Sequence, residues 1–161
     1  MRRSHIPPFP HDAWKIRKAE ANQRKAIEEI AQNAYAGYVP LMDRKPFPML
    51  DDYNRHIANG NAYVLEETGR VMGYVILIPQ PDGSLLLDNI AVDPQAQQCG
   101  YGRALLAFAE EEAARSGRSR IDLYTNEVMR DNVTWYTHHG YAITDQRREN
   151  GYNRIYFSKM V

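Results

Sequence analysis

At 161 residues, 43% hydrophobic and 25% charged, the chain is long enough to bury one domain's core and too apolar for a disordered polymer. Twenty Lys and Arg balance twenty Asp and Glu, so bulk charge argues against nucleic-acid binding. The one cysteine, Cys99, excludes an internal disulfide and fits a reducing, cytoplasmic setting; neither a signal-peptide apolar run nor a stretch of membrane-spanning length is present, so no membrane partner is expected.

Residues 1–12 are proline-rich and read as a loose extension of a single domain over 1–161, with no repeat or interdomain linker. Residues 14–18 fit a short strand. Residues 22–35 read as a helix with Ile27, Ile30, Ala31 and Ala34 on one face. Pro40 and Pro46-Phe47-Pro48 break that pattern, and a short helix over 50–58 follows, acidic at its start through Asp51 and Asp52. Strands are expected at 62–66 and 71–78 around the turn Glu67-Thr68-Gly69-Arg70, and again at 85–92 after Pro81-Asp82-Gly83-Ser84. A loop at 94–100 opens a helix over 101–115, which Gly117 can end. A strand at 121–125 precedes a helix carrying Met129, Val133 and Tyr136 in one stripe. The pair 141–144 and 154–158 closes the chain across Asn150-Gly151. Early hairpins followed by strand–helix–strand–helix–strand predict an α/β sheet with helices on both faces.

The chemistry concentrates in Val92-Asp93-Pro94-Gln95-Ala96-Gln97-Gln98-Cys99-Gly100-Tyr101-Gly102-Arg103-Ala104. A strand enters a loop with two near-adjacent glycines, which opens a helix. Glycine lets backbone approach a ligand, and the first N–H groups of the helix lack internal partners, so the segment suits a pyrophosphate. Arg103 adds a charge-assisted donor. A tight turn without a ligand is the plain alternative. No Gly-Lys-Ser/Thr follows the loop, which excludes the Walker pattern. Leu105 stands where the dinucleotide fingerprint needs a third glycine or alanine.

Gln97-x-x-Gly100-x-Gly102 resembles the Q/R-x-x-G-x-G/A signature of the GNAT (Gcn5-related N-acetyltransferase) superfamily. Ile90-Ala91-Val92-x-Pro94 looks like its strand-to-loop entry, and Trp135-Tyr136-x-x-x-Gly140-Tyr141 is similar to its aromatic-Tyr-x-x-x-Gly-Phe/Tyr element. Together these cover about the last half of the chain, in the family order. The resemblance implies a mixed, splayed central sheet that holds acetyl-CoA as acyl donor, without a metal. Backbone at Ile90, Ala91 and Val92 would pair with the pantetheine arm like an added strand. Gln97, Gln98, Cys99, Gly100, Tyr101, Gly102, Arg103 and Ala104 would hold the pyrophosphate. Tyr136 matches the position that commonly protonates the departing thiolate, although its place on an apolar stripe also fits a core residue. Many relatives carry an asparagine seven positions before that tyrosine. Here Met129 stands there, with Asn132 and Asn126 as candidate substitutes. Gln98 also departs from the usual glycine or arginine.

The implied reaction is N-acetylation of a primary amine by direct attack in a ternary complex. An alkylamine, like lysine at about 10.4, is mostly protonated at neutral pH, so a base must take a proton. Asp88, on the strand leading to the pantetheine segment, and Glu127, after Asn126, are the candidates. A helix cap explains Asn126-Glu127 equally well. Cys99 is not needed as nucleophile, and the adjacent His138-His139 point apart on a helix and make poor metal ligands. Tyr35, Tyr38, Phe47 and Tyr53, with Asp43, Asp51 and Asp52, lie in the part of such folds that caps the acceptor, and Tyr35, Tyr38 and Phe47 are the candidate acceptor contacts. The acceptor can be a small-molecule amine or a peptide or protein amine. A non-catalytic acyl-CoA-binding regulatory module is the alternative function, and homodimers are common in such folds.

Overall fold

A computed structural model describes residues 14–161, so the expected extension at 1–12 lies outside the described residues. Seven strands form one mixed sheet: β1 Trp14–Lys18, β2 Ala62–Glu67, β3 Arg70–Pro79, β4 Leu85–Val92, β5 Arg120–Asn126, β6 Ala142–Glu149 and β7 Tyr152–Met160, in the order β1-β2-β3-β4-β5-β7-β6. Four α-helices accompany them: α1 Arg24–Tyr35, α2 Tyr53–Ala58, α3 Tyr101–Arg115 and α4 Arg130–His138. Every strand pair is antiparallel except β4–β5, whose parallel pairing follows from the α3 crossover between them.

Helices cover both faces, as the alternation along the strands requires. On one face Leu65, Val75, Leu77, Leu87, Ile121, Leu123 and Phe157 pack with Leu105, Leu106 and Ala109 of α3 and with Tyr136. On the other, Val64, Tyr74, Ile76 and Ala91 meet Ile27, Ile30 and Ala31 of α1 and Tyr53 of α2. Each large apolar side chain so buried contributes about 1.5–3 kcal/mol. Among the described residues no helix is long and apolar enough to cross a membrane.

Three element boundaries differ from the sequence expectation. The regular helix expected from residue 22 starts at Arg24, behind a 3-10 turn at Ala21–Gln23. There the Gln23 side chain folds back to accept from the Glu20 amide at 2.9 Å and donates to Glu66. α2 begins at Tyr53 rather than 50, because Pro46 and Pro48 hold a 3-10 turn at Phe47–Met49 and Asp52 caps α2, accepting from the Arg55 amide at 3.1 Å. The closing hairpin is longer than 141–144 and 154–158. β6 is an exposed edge whose Asp145, Gln146, Arg147 and Arg148 conceal any apolar alternation, yet its backbone pairs with β7 to the Asn150-Gly151 turn, where φ is 54° and 85°. Two consecutive positive φ values are the type I′ geometry that Asn-Gly favours.

The site originates in an interruption of the sheet. β4 and β5 pair only over Leu85–Leu87 with Ile121–Leu123. Past that point β4 follows β3 while β5 follows β7. The β3–β4 register passes from Ile76↔Asn89 to Leu77↔Leu87, so Asp88 is a bulge residue without a partner. A bulge re-aims its side chain and bends the strand.

Candidate active site

Two cavities meet at this interruption. The first is an open groove of about 720 Å³ whose walls include Ile90, Ala91, Val92, Gln97, Gln98, Gly100, Tyr101, Gly102 and Arg103, with Tyr38, Asp131, Trp135 and His139 across from them. The second is a smaller, more enclosed pocket of about 50 Å³. It is lined by Asp88, Asn89, Tyr124, Asn126, Met129 and Arg154, under a roof of Met42, Pro46, Phe47 and Tyr152. Tyr35, Ile90, Asn132 and Tyr136 line both, and therefore mark the junction.

The groove is made largely by backbone. Gly100, at φ 83°, is the N-cap of α3 and offers no side-chain cap, so the first amides of α3 keep their donors for a ligand. A Cβ at Gly102 would meet Trp135 at 3.6 Å and Val92 at 3.8 Å, ordinary contact distances, so the protein's own packing does not demand glycine there. Gln98 adopts φ 69°, a left-handed conformation that side chains resist. That conformation accounts for the fit of glycine at this position in the resembling signature. The edge of β4 beyond Leu87 is unpaired toward β5 and gives an extended amide chain a place to bond. These features fit the donor's diphosphate and pantetheine arm.

The structure separates the predicted groove residues. Gln97 and Arg103 are exposed on its wall. Tyr101 is buried and its hydroxyl donates to Glu67, leaving only its backbone toward the loop. Cys99 and Ala104 do not line the groove; both pack on the core, and the Ala104 amide donates to Gly100 O at 3.0 Å within α3. Asn126 lines the enclosed pocket rather than the groove, and its Oδ1 accepts from the Val128 amide at 3.0 Å. Asn132 stands at the junction, its Nδ2 donating to Thr125 Oγ1 at 3.4 Å. Of the two asparagines, Asn132 is the one beside the groove.

Tyr136 is 5% exposed, packed edge-on against Trp135 and near Phe157. Burial raises its pKa well above the usual phenol value, so it is protonated at neutral pH and can donate. No hydrogen bond within the described residues claims its hydroxyl.

Asp88 points from the bulge into the enclosed pocket and accepts from Tyr124 Oη at 2.7 Å. Burial raises its pKa, and ionised Asp51 adds to the rise; the Tyr124 hydrogen bond and the charges of His56 and Arg154 oppose it. Arg154 lies over the Tyr124 ring at 4.2 Å and donates to Glu149 at 3.0 Å. Glu127, the other candidate base, is exposed and lines neither cavity.

The aromatic residues of the first third divide as well. Phe47 roofs the pocket, edge-on to Tyr152. Tyr38 faces the groove instead. Tyr35 is buried and donates to Ile90 O at 3.0 Å, fixing the strand segment expected to pair with pantetheine. Behind it Asn89 Nδ2 donates to Tyr53 Oη at 2.6 Å, while Tyr74 Oη donates to Asn89 Oδ1 at 3.2 Å. This buried network braces the bulge and was not expected from sequence. Its visible signal is Asp88-Asn89 interrupting an apolar strand. Arg154, Tyr124 and His56 gave no comparable signal.

A family model described as "Acetyltransferase (GNAT) domain" matches residues 58–143, over half of the chain. Compared by sequence with curated proteins, the chain finds no match. Among solved structures, it is similar to the PaiA N-acetyltransferase of Thermoplasma acidophilum in complex with coenzyme A, at TM-score 0.77 and 14% identity over 92% of this chain and 99% of that one. It is also similar to the ribosomal-protein-S18-alanine N-acetyltransferase of Escherichia coli, at TM-score 0.72 and 21% identity over 91% and 93%. A Salmonella typhimurium protein solved with its cofactor acetyl-CoA superposes at TM-score 0.68 and 22% identity over 92% and 94%. At these identities the structural likeness concerns the fold, a mixed sheet flanked by helices.

Proposed function

The chain belongs to the GNAT acetyltransferase family, and on that premise we propose that it moves an acetyl group from acetyl-CoA to a primary amine by direct attack in a ternary complex. The observation that carries this reading is the junction: Tyr136 and Asn132 line both a backbone-walled groove and a pocket holding one bulge carboxylate.

In this reading the uncapped start of α3 and the loop Gln97–Gly102 bind the diphosphate, with Arg103 adding charge. The Ile90–Val92 edge orients the pantetheine arm, and the acetyl thioester arrives at the junction. The acceptor enters as an ammonium ion among Phe47, Tyr124 and Tyr152, aromatic walls that favour a cation, and donates to Asp88. Asp88 takes one proton and leaves a neutral amine. Its raised pKa brings it closer to neutrality than an exposed carboxylate, which suits a general base. Tyr136 donates its proton to the departing thiolate and is reprotonated from the acylated nitrogen. The enclosed pocket supports a slender amine: a small molecule, a peptide N-terminus or a lysine side chain.

The test is calorimetric titration with acetyl-CoA, with NAD and ATP as controls, followed by an amine screen read by thiol release. Saturable binding of acetyl-CoA alone, with amine-dependent thiol release, is expected. A folded protein that binds no acetyl-CoA would overturn the reading.

A further inference from the structure

Behind the enclosed pocket lies a side-chain cluster to which the reading above gives no role. One carboxylate oxygen each of Asp51 and Asp88 and one ring nitrogen of His56 lie within 4.8 Å of one another. Among the described residues this is the one such grouping of histidine and acidic side chains. His56 and Asp51 are themselves buried, each with a side chain 3% exposed, and Nε2 of His56 lies 2.8 Å from Asp51 Oδ2. The other ring nitrogen, Nδ1, is buried without a hydrogen-bond partner. Buried polar atoms without partners are costly and uncommon outside functional sites.

α2 places this pair deliberately. Asp52 caps the helix, Tyr53 locks it to Asn89, and His56 follows one turn later, turned inward toward the bulge. An Asp51 carboxylate alone beside Asp88 would set two like charges together and drive Asp88 toward its neutral form. A protonated imidazole between them reverses that effect. It offsets Asp51 and favours the ionised state of Asp88.

We propose that His56 is a positioning residue for acetyl transfer: clamped by Asp51, its imidazole supplies the buried positive charge that keeps Asp88 in the carboxylate form able to accept the amine proton. The proposal rests on the reading of Asp88 as base. His56 does not touch the acceptor, since it does not line the enclosed pocket. The proton passes from the ammonium nitrogen to Asp88, and from there to solvent when product leaves; His56 acts only on the charge of Asp88. Other groups facing Asp88 are Tyr124 of β5, Arg154 of β7 and Tyr53 of α2. Tyr124 and Arg154 also favour the carboxylate, and both are retained in the variants below.

The test needs no knowledge of the acceptor. Protein labelled with 13C at the aspartate carboxyl carbons is titrated by NMR, with the Asp88 resonance assigned from Asp88→Asn. His56→Gln keeps an N–H donor for Asp51 without a charge. It is expected to raise the Asp88 midpoint by on the order of one pH unit, the scale of a buried neighbouring charge at an effective dielectric constant of about 20. Adding Asp51→Asn to His56→Gln is expected to reverse most of that rise. An Asp88 midpoint unchanged in His56→Gln, or a rise that persists in the double variant, would overturn the proposal. If His56→Gln fails to fold, as judged by its melting transition, His56→Asn is titrated in its place under the same two criteria. The reading of Asp88 as base stands or falls separately, on whether Asp88→Asn abolishes amine-dependent thiol release.

Discussion

The groove and the enclosed pocket share Tyr35, Ile90, Asn132 and Tyr136 but are built on opposite principles. The groove is a backbone object: an unpaired strand edge, an uncapped helix start and a loop bent by Gly100 at φ 83°. The pocket is a side-chain object, with Asp88 from β4, Tyr124 from β5, Arg154 from β7 and Phe47 from the loop between α1 and α2. The difference teaches that donor binding needs local conformation, whereas acceptor chemistry needs distant residues brought together. Substitutions in the pocket should therefore abolish turnover with donor affinity intact, and substitutions in the groove should do the reverse.

The largest effect is expected at Asp88. Asp88→Asn keeps an acceptor for the Tyr124 hydroxyl but removes the base. Thiol release should fall by roughly 10²–10⁴-fold while the acetyl-CoA Kd stays unchanged. Because folding raises this pKa, ionised Asp88 opposes folding at neutral pH. The variant should therefore melt higher than the parent at pH 7, and the gap should close as pH falls below the ordinary aspartate value of about 3.9. Weaker donor binding with normal turnover at saturation would collapse the distinction between the two regions.

Tyr136→Phe probes their junction. With the ring retained and the hydroxyl gone, kcat should drop by about 10²-fold with little change in melting temperature, since no hydrogen bond within the described residues holds that hydroxyl. Unchanged turnover would return Tyr136 to the core as a packing residue.

The groove is tested by two changes of opposite sign. Gly100→Ala forces a side chain into the left-handed region and should cost about 1–2 kcal/mol of stability, with acetyl-CoA affinity falling roughly tenfold as the amides of α3 are re-aimed. Gln98→Gly relieves a left-handed residue at φ 69° and should gain about 0.5–1 kcal/mol in denaturant unfolding, leaving acetyl-CoA affinity unchanged. An acetyl-CoA affinity lost in Gln98→Gly would show that its side chain, not the loop backbone, holds the donor.

The same contrast explains what could be read in advance. The groove was legible because its parts are consecutive: Gln97, Gly100 and Gly102 lie within six residues, and their spacing specifies a backbone path. Even there, the side chains of Cys99 and Ala104 turned into the core, since a motif fixes the loop and not which way each side chain faces. The pocket was legible only at Asp88, a charge in an apolar strand. Its companion Glu127 was equally plausible in sequence and stands in solvent. Asn126 and Asn132 were equivalent in composition until the Val128 amide claimed one of them.

By itself, the sequence determined the order of strands and helices, the two-faced core, the Asn150-Gly151 hairpin and the anion-ready start of α3. Each rests on interactions within a few residues: alternation, turn conformation and unpaired helix amides. Only the tertiary structure decided that the β3–β4 register skips Asp88, that Tyr35 fixes Ile90 and that His56 lies against Asp51 and Asp88. Those contacts join residues far apart in the chain, and their geometry is set by how the sheet opens between β4 and β5, which no local pattern encodes.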